Sequence, residues 1–165
     1  MGDDGAGAAA LAALEAGWEL PEGITCLDLG TPGPYLAECI RGFDAVILFD
    51  SVSGTGAPGE VRHFRYDAEH APPVVQRLTP HTPGIGEALA TLAFEGKAPA
   101  NVTVIGVIPE KVSAGTEMTE AVNRAIPMMA SIAVIELEAL GFDVPRSAEP
   151  RALALWWART PALTA

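Results

Sequence analysis

Two acidic positions and one histidine are the side chains of this chain best suited to chemistry. Asp3 and Asp4 stand directly before an alanine-rich segment, Asp50 ends an apolar run, and His81 lies between two prolines. Two carboxylates and one imidazole could bind a divalent metal such as Zn²⁺ or Ni²⁺ and leave coordination positions open. Asp4, Asp50 and His81 are 46 and then 31 residues apart, with no local ligand motif. Only the fold could bring them together.

Each of these residues also has a simpler interpretation. Asp4 could be the N-cap of the helix that follows it, because Asp is favoured at that position. Asp50 could bind a loop N–H at the end of its strand, and His81 could be a solvated loop residue. We interpret His63 and His70 as surface residues.

The apolar pattern predicts alternating helices and strands. Helices are expected at residues 6–16, 34–41, 84–94 and 119–140, and strands at 24–28, 44–50, 60–66 and 102–108. Pro127 should kink or break the last helix. Five consecutive apolar residues, Ala45–Phe49, indicate a strand covered on both faces. Glu60–Tyr66 is rich in charge and indicates a sheet edge.

These elements predict a three-layer α/β sandwich. Its sheet should be mostly parallel, with helices on both faces and one antiparallel edge strand. Sites in such sheets gather at the carboxyl ends of the strands, where Asp4, Asp50 and His81 are expected to lie. We divide the chain into a domain at residues 1–141 and a tail at 142–165, which carries a short amphipathic stretch around Trp156 and Trp157.

Composition excludes several classes of partner. The formal net charge of −11 argues against nucleic acid and against an anionic membrane surface, since both require clustered Lys and Arg. No apolar run approaches the roughly 20 residues of a membrane span. The first residues are acidic and glycine-rich, unlike a signal peptide. We therefore expect a cytoplasmic protein with no nucleic-acid or membrane partner.

Five motifs occur in an order that resembles one family. They are the acidic run Met1–Gly7, the turn Asp28–Gly33, the strand Val46–Asp50, the segment Leu78–His81 and the strand end Val104–Glu110. Together they resemble the hydrogenase maturation proteases, over residues 1 to about 140. Those enzymes remove a carboxy-terminal extension from the large subunit of nickel–iron hydrogenase after nickel insertion. The resemblance thus implies an endopeptidase whose partner is the large-subunit precursor.

The resemblance also implies a site. The metal-binding triad of the family falls on Asp4, Asp50 and His81. The implied metal is nickel presented by the precursor, and another divalent metal could occupy the same site. The metal could polarise the scissile carbonyl or lower the pKa of a water, or the two acids could perform aspartic-type chemistry while the metal serves recognition. The sequence leaves both routes open.

The turn Gly30, Thr31, Pro32 and Gly33 is expected to line the substrate cleft through its exposed backbone. The alternative for these residues is a tight turn that merely precedes the helix begun by Pro34. At the amino end, family members begin with an apolar strand and a Gly-x-Gly-Asn loop ahead of the acidic run. The sequence given starts at Met1, so the resemblance implies that the first strand is missing.

Two other classes of function are carried as alternatives. A phosphoacceptor receiver domain needs an acidic pair, a strand-end Asp and a later Lys, which Asp3, Asp4, Asp50 and Lys111 supply. In a receiver that Lys ends its strand and precedes a proline, whereas here Pro109 comes before Lys111. A non-catalytic metal-binding or hydrogenase-docking module would bind metal without cleaving a substrate.

Overall fold

The computed structural model describes residues 2–66, 84–111 and 117–151. In these ranges the helices are α1 (Ala6–Gly17), α2 (Leu36–Ile40), α3 (Ile85–Phe94) and α4 (Glu120–Ala139), and the strands are β1 (Ala45–Ser51), β2 (Val61–Tyr66) and β3 (Asn101–Val107). Short 3-10 turns at Gly2–Gly5 and Gly33–Tyr35 precede α1 and α2. The helices and strands alternate as the sequence predicted, with one exception described below.

The sheet has the order β1-β3-β2. β3 pairs parallel with β1 and antiparallel with β2, so the predicted antiparallel edge strand is confirmed. In the parallel pair Ala45 lies opposite Asn101 and Asp50 opposite Gly106. Among the described strands β1 is bonded on one side only, and none precedes α1.

Helices cover both faces of this sheet, which confirms the three-layer architecture. Successive residues of β3 point to opposite faces. Ile105 and Val107 pack with α1 and α4 on one face. Val102 and Val104 pack with α2 and α3 on the other. The sheet therefore separates two apolar clusters.

The predicted strand at residues 24–28 is wrong. These residues are described but belong to no helix or strand. Ile24 packs against the cluster around α1 and α4, whereas Leu27 is 49% exposed. A β-strand needs a neighbour for its backbone hydrogen bonds, and the only described partner of β1 is β3. The apolar pattern alone does not supply that neighbour.

The long helix α4 begins and ends as predicted. Thr119 is at its N-cap position, and Gly141 follows its end with a φ of 95°. The helix continues through Pro127, so the predicted alternative of a break there is wrong. Buried Ile126 and Met129 on either side anchor the helix to the core and offset the loss of one N–H. No helix in the described ranges, α4 included, has the length and hydropathy to cross a membrane.

The segment after α4 lies along the end of α1. Val144 is buried in the α1–α4 cluster. The N–H of Ser147 donates to the carbonyl of Gly17 at 2.9 Å, and the N–H of Arg151 donates to the carbonyl of Ala16 at 3.0 Å. The predicted amphipathic stretch around Trp156 and Trp157 lies outside the described residues.

Candidate active site

Asp4 and Asp50 meet at the carboxyl end of β1. Helix α1 passes so close to this strand that a Cβ atom on Gly7 would lie 2.5 Å from the carbonyl oxygen of Phe49. This close approach places the turn Gly2–Gly5 beside the end of β1. Two of the three predicted site residues are therefore adjacent, although they are 46 positions apart in the sequence.

Ser51 contacts both acids. Its backbone N–H donates to Oδ1 of Asp50 at 2.8 Å, and its hydroxyl donates to Oδ1 of Asp4 at 3.2 Å. Ser51 is 2% exposed. The predicted strand ended at Asp50, no role was predicted for Ser51, and the contact was missed. The available signal was a small hydroxyl residue directly after a strand-end acid.

The environment of Asp50 changes its ionisation. Burial raises the pKa of Asp50, the Ser51 N–H lowers it, and the negative charge of Asp4 raises it, with a result of about 6. Two neighbouring carboxylates of which one ionises reluctantly can exchange protons with a substrate or bind a cation between them. The simpler interpretation of Asp4 as an N-cap does not hold, since the N-cap position of α1 is Gly5.

Asp3 has a different role from its neighbour. Its carboxylate is fully buried and accepts hydrogen bonds from the N–H groups of Glu110 (2.9 Å), Lys111 (2.9 Å) and Thr119 (2.7 Å) and from the Thr119 hydroxyl (3.0 Å). Burial raises the pKa of Asp3, but these hydrogen bonds together bring it below its usual value. Asp3 thus joins the end of β3 and the start of α4 to the turn that carries Asp4.

This arrangement contradicts the receiver interpretation. A receiver needs its acidic pair available for Mg²⁺, but all four donors around Asp3 come from the protein itself. The backbone of Lys111 is one of them, four residues beyond the end of β3 at Val107.

His81 lies outside the described residues. Within residues 2–66, 84–111 and 117–151, no three His, Cys, Asp or Glu side chains form a group that could hold a metal ion. The described part of the site is therefore a carboxylate pair. His81 as its third member stays a prediction.

The turn predicted to bind substrate is a tight turn. Gly30 and Gly33 have φ angles of 56° and 53°, a region that favours glycine. The N–H of Gly30 donates to Oδ1 of Asp28 at 3.1 Å, and the N–H of Tyr35 donates to the carbonyl of Pro32 at 3.1 Å. Thr31 is exposed. These bonds are local, and the role of the turn in substrate binding stays a prediction.

A second polar cluster surrounds Glu136 near the amino end of β3. Arg65 binds its carboxylate through Nε and Nη2 at 3.0–3.2 Å, His63 approaches it at 3.2 Å, and the hydroxyl of Thr103 donates to it at 3.2 Å. A cavity of about 500 Å³ lies beside it. His63 is exposed, as the sequence analysis expected, but its contact with Glu136 was missed. The available signal was a Glu on the buried face of α4. The hydrogen bonds from Arg65 and Thr103 already pair its carboxylate.

Comparison with known proteins identifies the family. A family model described as HycI, hydrogenase maturation protease, matches residues 9–136. The chain belongs to the hydrogenase maturation protease family. It is therefore a member of a family of peptidases.

The relatives differ in how much of their own length the match covers. The hydrogenase 2 maturation protease of Escherichia coli is 31% identical over 148 residues, which cover 88% of this chain and 90% of that protein. The hydrogenase expression/formation protein HoxM of Azotobacter vinelandii is 33% identical over 109 residues, and this match spans only 53% of its length.

Solved structures of hydrogenase maturation proteases share the fold. The hydrogenase maturating endopeptidase HybD from E. coli superposes with a TM-score of 0.80 at 29% identity, covering 90% of this chain and 91% of that one. HybD from Thermococcus kodakarensis gives a TM-score of 0.62 at 25% identity, covering 82% and 90%.

Proposed function

We propose that this protein is an endopeptidase that removes the carboxy-terminal extension of a nickel–iron hydrogenase large subunit after nickel insertion. The observation that carries the proposal is the pair of carboxylates, Asp4 and Asp50, joined by Ser51 at the carboxyl end of β1. Hydrolysis of a peptide beside a metal requires groups that move protons and groups that bind the cation. A carboxylate pair in which the pKa of Asp50 is raised to about 6 supplies both. Membership of the maturation protease family supports the same activity.

In this proposal Asp4, Asp50 and His81 bind the nickel ion that the precursor presents. The negative charge of Asp4 contributes to the raised pKa of Asp50, so a divalent cation between the two acids would relieve their repulsion. His81 would add a nitrogen ligand, which suits nickel. Helix α3 begins at Ile85, four residues after His81 in the sequence. The same proposal assigns the protein to the cytoplasm.

Asp50 is the better candidate for the general base. With a pKa of about 6 it is mostly ionised at neutral pH and can still hold a proton at modest cost. In a metal-dependent route the nickel of the precursor would polarise the scissile carbonyl, and one of the two carboxylates would accept the proton of the attacking water. In an aspartic-type route Asp4 and Asp50 manage both proton transfers, and nickel only identifies a mature precursor.

The exposed turn at Gly30, Thr31, Pro32 and Gly33 is assigned to substrate binding in the same proposal. Its two glycines hold the backbone in a tight turn with no side chain at either end. Such a turn can offer N–H and carbonyl groups to an extended peptide. Gly30→Ala, which strains the backbone of this turn at its φ of 56°, should raise KM without lowering kcat.

The direct test is cleavage of purified nickel-loaded precursor, followed by mass spectrometry of the released extension. Asp4→Asn, Asp50→Asn and His81→Ala should each lower the rate by about 10²–10⁴-fold, the usual contribution of a positioned acid or base. Asp143→Asn is the matched control, because it removes an exposed carboxylate after α4. This variant should cleave like the wild type.

The nickel-free precursor completes the experiment. It should remain uncleaved by the wild type, since the proposed site recognises the metal. Normal cleavage by Asp50→Asn would contradict the site. Tight binding of the nickel-loaded precursor by the wild type without cleavage would contradict the proposed activity and support a docking module instead.

A further inference from the structure

We infer that Ser51 is the positioning residue of the carboxylate pair. It fixes Oδ1 of both acids, and no residue in the described ranges donates to Oδ2 of Asp4 or Oδ2 of Asp50, the atoms that we assign to a cation. This inference rests on the proposed function, which assigns metal binding to the carboxylate pair. It concerns a residue that contacts the acids and not the substrate.

The geometry comes from one residue with two donors. The N–H of Ser51 holds Asp50 at 2.8 Å and its hydroxyl holds Asp4 at 3.2 Å. Ser51 is the last residue of β1, opposite Val107 of β3. The next residue, Val52, donates its own N–H to the carbonyl of Val107 at 2.9 Å. The sheet fixes the backbone at Ser51 and at Val52. The N–H of Ser51 is therefore held in place, and its hydroxyl is attached to a fixed backbone position.

The two acids need such a connection because they come from different elements. Asp4 belongs to the turn before α1, and Asp50 belongs to β1. Their charges repel each other, which favours rotation of the less restrained side chain away from the pair. Among the described residues, the hydroxyl of Ser51 is the group that donates a hydrogen bond to the Asp4 carboxylate. In both acids the described hydrogen bonds use Oδ1 and leave Oδ2 without a donor.

Hydrogen bonds that orient metal ligands usually change metal affinity by 10–100-fold when removed. Ser51→Ala removes the hydroxyl and keeps the backbone N–H that holds Asp50. Ser51→Thr keeps both donors. Ser131→Ala is the matched control, since the Ser131 hydroxyl also makes one hydrogen bond, to the carbonyl of Pro127 at 2.8 Å in α4. These variants separate orientation of Asp4 from loss of a serine hydroxyl in general.

The first measurement is calorimetric titration of the full chain with Ni²⁺ alone at neutral pH. Ser51→Ala should weaken Ni²⁺ binding by about tenfold, whereas Ser51→Thr should restore most of the affinity and Ser131→Ala should not change it. Asp50→Asn, which removes a ligand, should weaken binding further than Ser51→Ala. A merely structural role for Ser51 would change the melting temperature without this order of affinities.

The second measurement is a crystal structure of Ser51→Ala. The Asp4 carboxylate should lose its single orientation while Asp50 keeps its bond to the backbone N–H. Unchanged Ni²⁺ affinity together with an unchanged Asp4 side chain would overturn the inference and leave the proposed function intact. Absence of Ni²⁺ binding and of cleavage in the wild type would contradict the proposed function, and the orientation of Asp4 in the variant would then decide the role of Ser51.

Discussion

Asp3 and Asp50 are two acids at the same end of one sheet, and their ionisation is shifted in opposite directions. Asp3 is completely buried, yet its pKa is below the usual value because four donors surround the carboxylate. The pKa of Asp50 rises to about 6, because one backbone N–H does not offset burial and the charge of Asp4. The hydrogen-bond donors around Asp3 outweigh its burial, whereas the single donor to Asp50 does not.

This comparison divides the work between the acids. Asp3 stabilises the ionised form by contacts that also fix the connection between β3 and α4. Asp50 has lost water without gaining an equal number of donors, which keeps it available for protons and cations. Asp3 joins the elements around the site, and in the proposed function Asp50 carries the chemistry. Substitutions at the two positions should therefore have opposite effects on stability.

The largest expected effect is at Asp3. Asp3→Ala should lower the free energy of unfolding by about 3–5 kcal/mol, because it leaves three partly buried N–H groups and one hydroxyl without an acceptor. Asp3→Asn should cost less, since its amide keeps one acceptor oxygen. Urea unfolding at neutral pH measures both. The stability due to the lowered pKa of Asp3 is present above the unfolded-state pKa and is lost as pH falls through the folded-state value.

Asp4→Ala is the control for this prediction. Asp4 is half-buried and its carboxylate receives one described hydrogen bond, from Ser51. Its removal should change stability by no more than about 1 kcal/mol. Equal costs at Asp3 and Asp4 would contradict the division between a structural acid and a reactive one.

A smaller effect of opposite sign is expected at Asp50. Protonated Asp50 favours the folded state, so its contribution is fully present below the unfolded pKa, near 3.8, and is lost as pH rises through about 6. Asp50→Asn mimics the protonated form and keeps an oxygen for the Ser51 N–H. It should stabilise the protein by about 2–3 kcal/mol at pH 8 and by nearly nothing at pH 4. Thermal melts across this range give the comparison, and a variant less stable than the wild type at pH 8 would refute it.

The sequence predicted the elements whose own residues determine them. The apolar run of β1, the alanine-rich α1 and the range of α4 carry local signals, and the structure confirms them. Residues 24–28 also contain apolar residues, Ile24, Cys26 and Leu27, but they have no described neighbour to pair with. The local sequence pattern does not show whether a segment has a neighbouring strand to pair with.

The site was predictable in part for the same reason. A strand-end acid and an acidic run before a helix identified Asp50 and Asp4, and the structure brings them together. The sequence could not predict the environments that separate Asp3 from Asp4, because adjacent acids differ only in what later parts of the chain bring to them. The partners of Asp3 are more than 100 positions away. The roles of Ser51 and Glu136 likewise depend on distant residues.

The central claim is that Asp4, Asp50 and His81 converge on one metal ion. Crystals of the wild type soaked with Ni²⁺ test it most directly, through an anomalous difference map recorded at the nickel edge. The account predicts one strong peak at the carboxyl end of β1, coordinated by Oδ2 of Asp4, Oδ2 of Asp50 and a ring nitrogen of His81. A nickel ion bound elsewhere, or bound at this end of the sheet without Asp50 or His81 among its ligands, would contradict the account.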